Sequence, residues 1–508
     1  MKQAASKDWI GVDRHGLAAL LERRGIGWAI YELVQNALDT DATDVVITLE
    51  EIPRSPRVRV TVEDNDPTGF HDLRHAFTMF APSRKASQAE RRGRFNLGCK
   101  LVLARCHEAT VTSTTGTVHF DEEGRHDRPR TKRATGSSFT GIMALSRADL
   151  HDIHAALLRV IPPTRTRVVA TWVTAEGTER QDFLTAPAPI ATFPANLMTE
   201  VAQAGGGAAL RRVPRDTTVH VHAAKGPGWL YEMGIPVVVI DGPYHLDVQQ
   251  KIPLGFDRDG VAPGWLAKLR ALALNALADR PETDVTAPWV SEAVTQPQVA
   301  PAAVQKYLTG KYGDKFVVDD PNNRESVREA QAAGFAVIRG GAEARETWEV
   351  IRDHKLAEPA SHLFPPPLVV AGVPELTLAA MPLGYRALTA YASELAEQIL
   401  GKPIVVRVID DKRITAAASW GARPGATPSC LTFNIARLGA AWYAAGPGVE
   451  VNDLLIHEFA HEFGDHLSKE YDRALSRIGA QLVDLALRDP GFFVLHERLA
   501  RDAAGAGS

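Results

Sequence analysis

The sequence contains little cysteine, no long apolar run and no marked excess of either charge. Its three cysteines, Cys99, Cys106 and Cys430, are too few for a disulfide framework and lack Cys-x-x-Cys spacing, which favours a reducing compartment. No apolar stretch reaches the ~18 residues of a membrane span, and the first residues lack the apolar core of a signal peptide. We therefore expect a cytoplasmic protein without a membrane partner.

The charge balance gives no indication of a polyanionic partner. Lys and Arg number 57 and Asp and Glu number 61, so the formal net charge is −4 and nucleic-acid binding stays an open question. The chain has 508 residues, of which 45% are hydrophobic and 23% charged, as in ordinary globular proteins. We expect two to four domains of roughly 100–200 residues each.

The order of predicted elements indicates an α+β multidomain protein. Apolar residues recur at helical spacing over residues 16–40, with a break at Gly25 and Gly27, and strand-like segments follow. This order favours an α/β sandwich over a doubly wound fold. A second α/β domain, a Pro-rich linker, a small α/β block and a mostly helical domain follow. The predicted divisions are 1–150, 151–280, 281–301 (linker), 302–366 and 367–508.

A stripe of polar residues lies late in the first predicted helix. Glu32, Asn36 and Asp39 are spaced i, i+4 and i+7, so their side chains share one face. A carboxylate can orient a water molecule, and an amide oxygen can ligate Mg²⁺. The alternative is a solvated helix face.

Three further elements follow the stripe in order. A strand runs into Asp64 and a turn containing Gly69, where a carboxylate can accept a hydrogen bond from an adenine amino group. A polar loop with Lys85 and a glycine-rich segment then open a helix, where backbone N–H groups can face a phosphate. The last element is Gly136-Ser137 before a strand. The additional candidate binding residues are Gly93, Gly98, Lys100 and Ser137.

Together these elements resemble the nucleotide-binding boxes of the GHKL superfamily, whose ATPase domain has the Bergerat fold. The superfamily includes heat-shock chaperones, gyrase B-type topoisomerases, mismatch-repair ATPases and Morc proteins, and the resemblance covers about residues 25–145. The resemblance implies that Glu32 is the general base, Asn36 the Mg²⁺ ligand and Asp64 the adenine contact. The chain departs from the pattern at Asn96, where glycine is usual, and at Ser137, where threonine is usual.

The same resemblance implies a transducer-like domain after the nucleotide pocket. In relatives with such a domain a loop lysine reaches the γ-phosphate, and Lys251 is the candidate here. A solvated surface lysine is the alternative.

The C-terminal region carries a second motif. His457-Glu458-x-x-His461 places two imidazoles at i and i+4 on one helix face, where both can reach one Zn²⁺, with Glu458 beside the attacking water. Gly464 can end the helix and return His466 as the third ligand. Glu470 and Asp472 are the alternatives.

The second motif resembles small gluzincin-like or SprT-like metallopeptidases, which implies a protein or peptide substrate. Tyr443 or Tyr471 could stabilise an oxyanion, and the sequence does not select between them. Asp319 and Asp320, at a predicted strand end, are interpreted as a turn rather than as metal ligands.

The two motifs together predict an ATP-binding and ATP-hydrolysing protein whose nucleotide state regulates a zinc-dependent peptidase, with ATP, Mg²⁺ and Zn²⁺ as its ligands. Nucleotide-dependent homodimerisation is a further expectation. The alternative is an ATP-driven clamp or chaperone-like remodeller, with or without DNA, in which the zinc is structural.

Overall fold

The fold is taken from a computed structural model, in which none of the helices in the described part of the chain has the length and apolarity of a membrane span. The described residues are 13–22, 25–70, 72–81, 84–94, 96–202, 210–254, 260–280, 283–320, 324–364, 375–377, 379–414, 416–421, 429–464, 466 and 468–505.

The chain divides into two compact units. The first comprises residues 1–280 and 287–293, and the second comprises residues 281–286 and 294–508. Each unit has its own hydrophobic core. The five-part division predicted from the sequence is finer than this one.

The first unit begins with helices packed on a large sheet. The strands form one eight-stranded sheet in the order β5-β4-β3-β6-β2-β1-β7-β8. In chain order the elements are α1 (Arg14–Glu22), α2 (Ile26–Leu38), β1 (Asp44–Glu51), β2 (Arg57–Asp64), α3 (Gly98–Arg105), β3 (Glu108–Ser113), β4 (Gly116–Asp121), β5 (Gly124–Arg128), β6 (Ser138–Ala144), α4 (Arg147–Leu157), β7 (Arg167–Val173) and β8 (Glu179–Leu184).

Period-two patterning explains why this sheet carries helices on one face. In β1, Val45, Ile47 and Leu49 are at most 2% exposed, while the residues between them are half-buried. Helix α2 adds Ile30 and Val34 to the same core. The predicted mixed α/β architecture with large sheets is therefore confirmed at this level.

Strand β7 lies in this first sheet. It pairs in parallel with β1, from Asp44↔Arg167 to Glu50↔Val173, and β8 pairs with its other edge. The sheet therefore continues past the predicted division at residue 150. Local pattern identifies a strand here, but the choice of sheet depends on the partner strand.

A second sheet completes the first unit. Its strand order is β12-β11-β13-β10-β9. The segment predicted as a linker, 281–301, contains a helix in which Trp289 is 6% and Val290 0% exposed. The elements are β9 (Ala191–Ala202), β10 (Leu210–Ala223), β11 (Gly228–Glu232), β12 (Ile235–Ile240), β13 (Tyr244–Val248), α5 (Pro263–Leu277) and α6 (Pro288–Ala293).

The second unit opens with the predicted helix–strand–helix–strand block, whose two strands pair in parallel. A three-stranded sheet of order β16-β18-β17 and helices then follow. The elements are α7 (Pro301–Tyr312), β14 (Phe316–Val318), α8 (Arg324–Ala332), β15 (Ala336–Ile338), α9 (Arg345–Asp353), α10 (Ala360–Leu363), α11 (Leu383–Leu400), β16 (Val405–Ile409), β17 (Ala418–Gly421), β18 (Cys430–Asn434), α12 (Ile435–Ala444), α13 (Val449–Ala460), α14 (Lys469–Arg488) and α15 (Pro490–Gly505).

Candidate nucleotide and metal sites

The predicted catalytic glutamate lies in the middle of helix α2. Glu32 is 4% exposed, and the Gln35 side-chain amide donates a hydrogen bond to its carboxylate. Asn36 donates from Nδ2 to the backbone carbonyl of Glu32 at 2.8 Å, which orients the amide, and Oδ1 is the atom of this side chain that could ligate a metal. Helix α2 therefore presents an oriented carboxylate and an oriented amide, as predicted.

Glycine at position 98 lets the Glu32 carboxylate reach the start of helix α3. A Cβ atom on residue 98 would lie 1.6 Å from Oε2 of Glu32, so any larger residue would displace the carboxylate. The first N–H groups of α3 are the kind of donors that bind a phosphate. This contact brings the candidate base and the candidate phosphate-binding turn together, as a site for a nucleoside triphosphate would require.

Asn96, the departure from the usual glycine, adopts the backbone conformation that glycine would provide. Its φ is +50°, a left-handed conformation that asparagine tolerates better than most residues. Its side chain donates to the Thr78 carbonyl at 3.0 Å, and Lys100 donates to its Oδ1 at 2.7 Å. Lys100 is 2% exposed and also donates to the His75 carbonyl. In this structure Lys100 therefore hydrogen-bonds to protein groups next to the predicted phosphate lid.

Asp64 and Gly69, predicted for the adenine end, lie close to Ser137 in the segment before strand β6. Asp64 Oδ1 accepts from the Asp66 N–H at 3.0 Å and from the Ser137 N–H at 3.3 Å. Burial raises the pKa of Asp64 above its usual value. Gly69 has φ +58°, and a Cβ there would lie 2.4 Å from Ser113 Oγ. Asp66, which sequence reasoning did not single out, fixes this turn by accepting from the Thr68 N–H at 2.7 Å.

Asp39, predicted as a nucleotide contact, binds protein groups. Its Oδ1 pairs with Arg92 at 2.6 Å, and its Oδ2 accepts from the backbone N–H groups of Arg92 and Gly93 at 3.0 and 3.3 Å. Lys85 lies against the same turn, with Nζ 3.4 Å from the Asn36 carbonyl, and burial lowers its pKa. Asp39 therefore holds the backbone of Gly93, which lies in the glycine-rich segment before helix α3.

Replacing Asp39 with asparagine is expected to lower the free energy of unfolding by about 3–5 kcal/mol, because Arg92 would lose its buried counter-ion. The side chains of Asp39 and Arg92 are 2% and 4% exposed. Urea unfolding of the full chain measures the change. Asp41→Asn is the matched control, since Asp41 is 71% exposed and its ion pairs are worth less than about 1 kcal/mol. Equal losses in the two variants would contradict the role of Asp39.

Lys251 is buried and contacts the loop that precedes the predicted phosphate lid. Its side chain is fully buried, and Nζ donates to the carbonyls of Lys85 at 2.7 Å and Ala86 at 3.1 Å. Its own backbone N–H donates to the Ala89 carbonyl at 2.8 Å. The solvated-lysine alternative is therefore wrong.

An ion pair that the sequence does not reveal fixes the Lys251 loop. Arg94 pairs with Glu232 at 2.5 Å and donates to the Ile252 carbonyl at 2.6 Å. Glu232 also accepts from the Ile252 N–H at 2.8 Å. Arg94 lies inside the glycine-rich segment and could have been noticed, but Glu232 is 138 residues away in sequence and has no local pattern to mark it.

The three predicted zinc ligands converge in the second unit. One side of helix α13 is buried, and its residues are Val451, Leu455 and Phe459. His457 therefore lies on a different side of the helix. His461 caps the helix and His466 returns to it, and one nitrogen from each histidine lies within 4.8 Å of the other two. Neutral imidazole nitrogens are good zinc ligands, and this donor set fits Zn²⁺.

Burial sets the protonation of this cluster. It lowers the pKa of His457, and it lowers that of His461 to about 4, which favours the neutral form that binds a metal. Burial also raises the pKa of Glu458 to about 7, a value suited to a general base. Tyr471 lies with its hydroxyl 2.7 Å from His457 Nδ1, whereas Tyr443 packs in the core at 1% exposure. Of the two candidate tyrosines, Tyr471 is the one beside the cluster.

The alternative third ligands lie elsewhere. Glu470 is exposed, and Asp472 pairs with Arg352. Asp320, interpreted from the sequence as a turn residue rather than a metal ligand, has a carboxylate that is 1% exposed and lies 3.8 Å from His466 Nδ1. No sequence pattern connects these two residues, because one follows strand β14 and the other follows helix α13.

Comparison with known proteins supports the first of the two sites. Residues 26–126 match the family model described as "Histidine kinase-, DNA gyrase B-, and HSP90-like ATPase". Among curated proteins, none matches this chain. A solved structure described as "Crystal Structure of N terminal domain of a DNA repair protein" is 11% identical, covers 48% of this chain and 91% of that chain, and has a TM-score of 0.31. On the family model alone, residues 26–126 are similar to a GHKL-type ATPase domain, for which ATP and Mg²⁺ are the typical ligands.

Proposed function

We propose that the first unit hydrolyses ATP with Glu32 as the base and Asn36 as the Mg²⁺ ligand. The observation that carries this proposal is the contact of the Glu32 carboxylate with Gly98, at the start of helix α3. Glu32 orients the attacking water and takes its proton, and the N–H groups of α3 hold the phosphates. Mg²⁺, when bound, neutralises charge on the phosphate oxygens. Asp64 receives the adenine amino group.

Lys251 completes the proposed nucleotide site. Its ammonium lies against the loop of Lys85 and Ala86, and we propose that it contacts the terminal phosphate when the nucleotide binds. An ammonium there stabilises the negative charge that develops during phosphoryl transfer. Dimerisation is typical of this ATPase family, and we propose that nucleotide binding promotes a homodimer.

For the second unit we propose a zinc-dependent peptidase activity. His457, His461 and His466 would hold the ion, and Glu458 would accept the proton of the attacking water. Zn²⁺, when bound, polarises the scissile carbonyl and lowers the pKa of water. The Tyr471 hydroxyl, which lies beside His457, would donate a hydrogen bond to the developing oxyanion.

We further propose that the nucleotide state regulates the peptidase. Purified full-length chain loaded with Zn²⁺ is expected to cleave an unstructured protein such as casein at a rate that changes severalfold when Mg-ATP is added, because a regulating ligand must favour one of two conformations. ADP and a non-hydrolysable ATP analogue separate the effects of binding and turnover. Identical cleavage rates under all these conditions would contradict the regulation while leaving both active sites in place.

A further inference from the structure

The position of Asp320 is fixed by the strand that precedes it. Strand β14 ends at Val318, whose N–H donates to the Glu358 carbonyl at 2.9 Å. The N–H of Asp319 donates to the Ile338 carbonyl at 2.9 Å. These bonds hold the end of the strand on both sides, and Asp320 follows it at 2% exposure. The two backbone hydrogen bonds therefore fix the position of Asp320 within the second unit.

The imidazole of His466 has different neighbours at its two nitrogens. Nε2 lies 3.2 Å from Nε2 of His457 and so faces the histidine cluster. Nδ1 lies 3.8 Å from Oδ1 of Asp320. A histidine that binds a metal through one nitrogen almost always gives the other N–H to a carboxylate, carbonyl or water, which fixes its tautomer and its orientation. Asp320 lies on the side of the ring where such a partner would lie, at an ion-pair distance rather than a hydrogen-bond distance.

We infer that Asp320 is the carboxylate that orients His466 toward the metal, without being a ligand itself. This inference rests on the zinc site proposed above. Among the described residues, the group that could hold a metal consists of the three histidines alone. Asp320 lies beside one of these histidines, His466, without joining the group. It is therefore a positioning residue for the metal centre.

The inference changes how the second unit is divided. Asp320 belongs to the block predicted at 302–366, whereas the three histidines belong to the segment predicted at 367–508. Both segments lie in the same compact unit. The small α/β block would thus contribute Asp320 to the metal centre.

The test compares two neighbouring aspartates in the full-length chain. Asp320→Asn and Asp320→Ala are expected to weaken Zn²⁺ affinity by about 10–100-fold, with alanine the more severe, because His466 loses its orienting anion. Asp319→Asn is the matched control, since Asp319 is the preceding residue and is less buried, and the Zn²⁺ affinity of this variant is expected to equal that of the wild type. Competition with a chromophoric chelator measures the affinities.

Cobalt provides a second readout that a loss of stability alone would not reproduce. The visible spectrum of bound Co²⁺ is expected to change in the Asp320 variants, and circular dichroism checks that they remain folded. Wild-type affinity and an unchanged cobalt spectrum in folded Asp320→Asn and Asp320→Ala would overturn the inference while leaving the zinc site in place. If the wild-type chain binds neither Zn²⁺ nor Co²⁺, the proposed metal site itself fails, and the inference fails with it.

Discussion

Replacing Glu32 with glutamine is expected to lower the rate of ATP hydrolysis by about 10²–10⁴-fold while leaving ATP binding nearly unchanged. The carboxylate is the group proposed to accept a proton, and the amide has the same shape but cannot do so. The binding contacts proposed for Asp64, Asn36 and the start of helix α3 are all retained. Steady-state phosphate release measures turnover, and a fluorescent ATP analogue measures binding.

The control for this prediction is a glutamate on the same unit. Glu50→Gln, on strand β1, removes a partly exposed ion pair with Arg59 at 2.5 Å and is expected to leave turnover unchanged. If Glu32→Gln hydrolyses ATP at the wild-type rate, the base has been assigned wrongly. If it no longer binds the nucleotide, the residue is structural and the pocket depends on its charge.

The sequence was sufficient to predict the local parts of the nucleotide site. Glu32 and Asn36 lie one helical turn apart, so their common face follows from helix geometry. Gly98 and Gly69 are marked by their residue type, because only glycine permits the close approaches found there. Each of these features depends on a short stretch of chain.

Contacts between segments that are far apart in sequence could not be predicted from the sequence. Asp39 was grouped with the nucleotide ligands because it continues the same helical stripe, yet its partner is Arg92, 53 residues away. A helix face shows which side chains point in one direction, but it does not show which group they meet. A buried carboxylate needs a cation or several N–H donors, and Arg92 and Gly93 provide both.

The assignment of strand β7 to the first sheet could not be predicted for a similar reason. The short apolar run of β7 is typical of a strand, but its parallel pairing with β1 joins two segments that are more than 100 residues apart in sequence. Parallel neighbours need a long connection, so proximity in sequence gives no indication of them. Asp320 and His466 illustrate the same limit at the metal centre.

Glu458→Gln is expected to lower peptide cleavage by about 10²–10⁴-fold without reducing the zinc content, because the variant keeps three histidine ligands and loses only the proton acceptor. His457→Ala is expected to lose both cleavage and most of the zinc, since two histidines hold the ion weakly. Metal analysis of the purified full-length chain and cleavage of casein measure the two effects.

The same helix end offers a matched control. Glu462 is bound by Ser429 at 2.8 Å and by Lys402, so Glu462→Gln tests a nearby glutamate that faces other partners. It is expected to retain cleavage. If Glu458→Gln retains cleavage as well, while His457→Ala unfolds the second unit, the zinc is structural and the ATP-driven remodeller becomes the better account. Burial explains why the two glutamates should differ: it raises the pKa of Glu458 to about 7, whereas hydrogen bonds from Lys402 and Ser429 outweigh burial and lower that of Glu462.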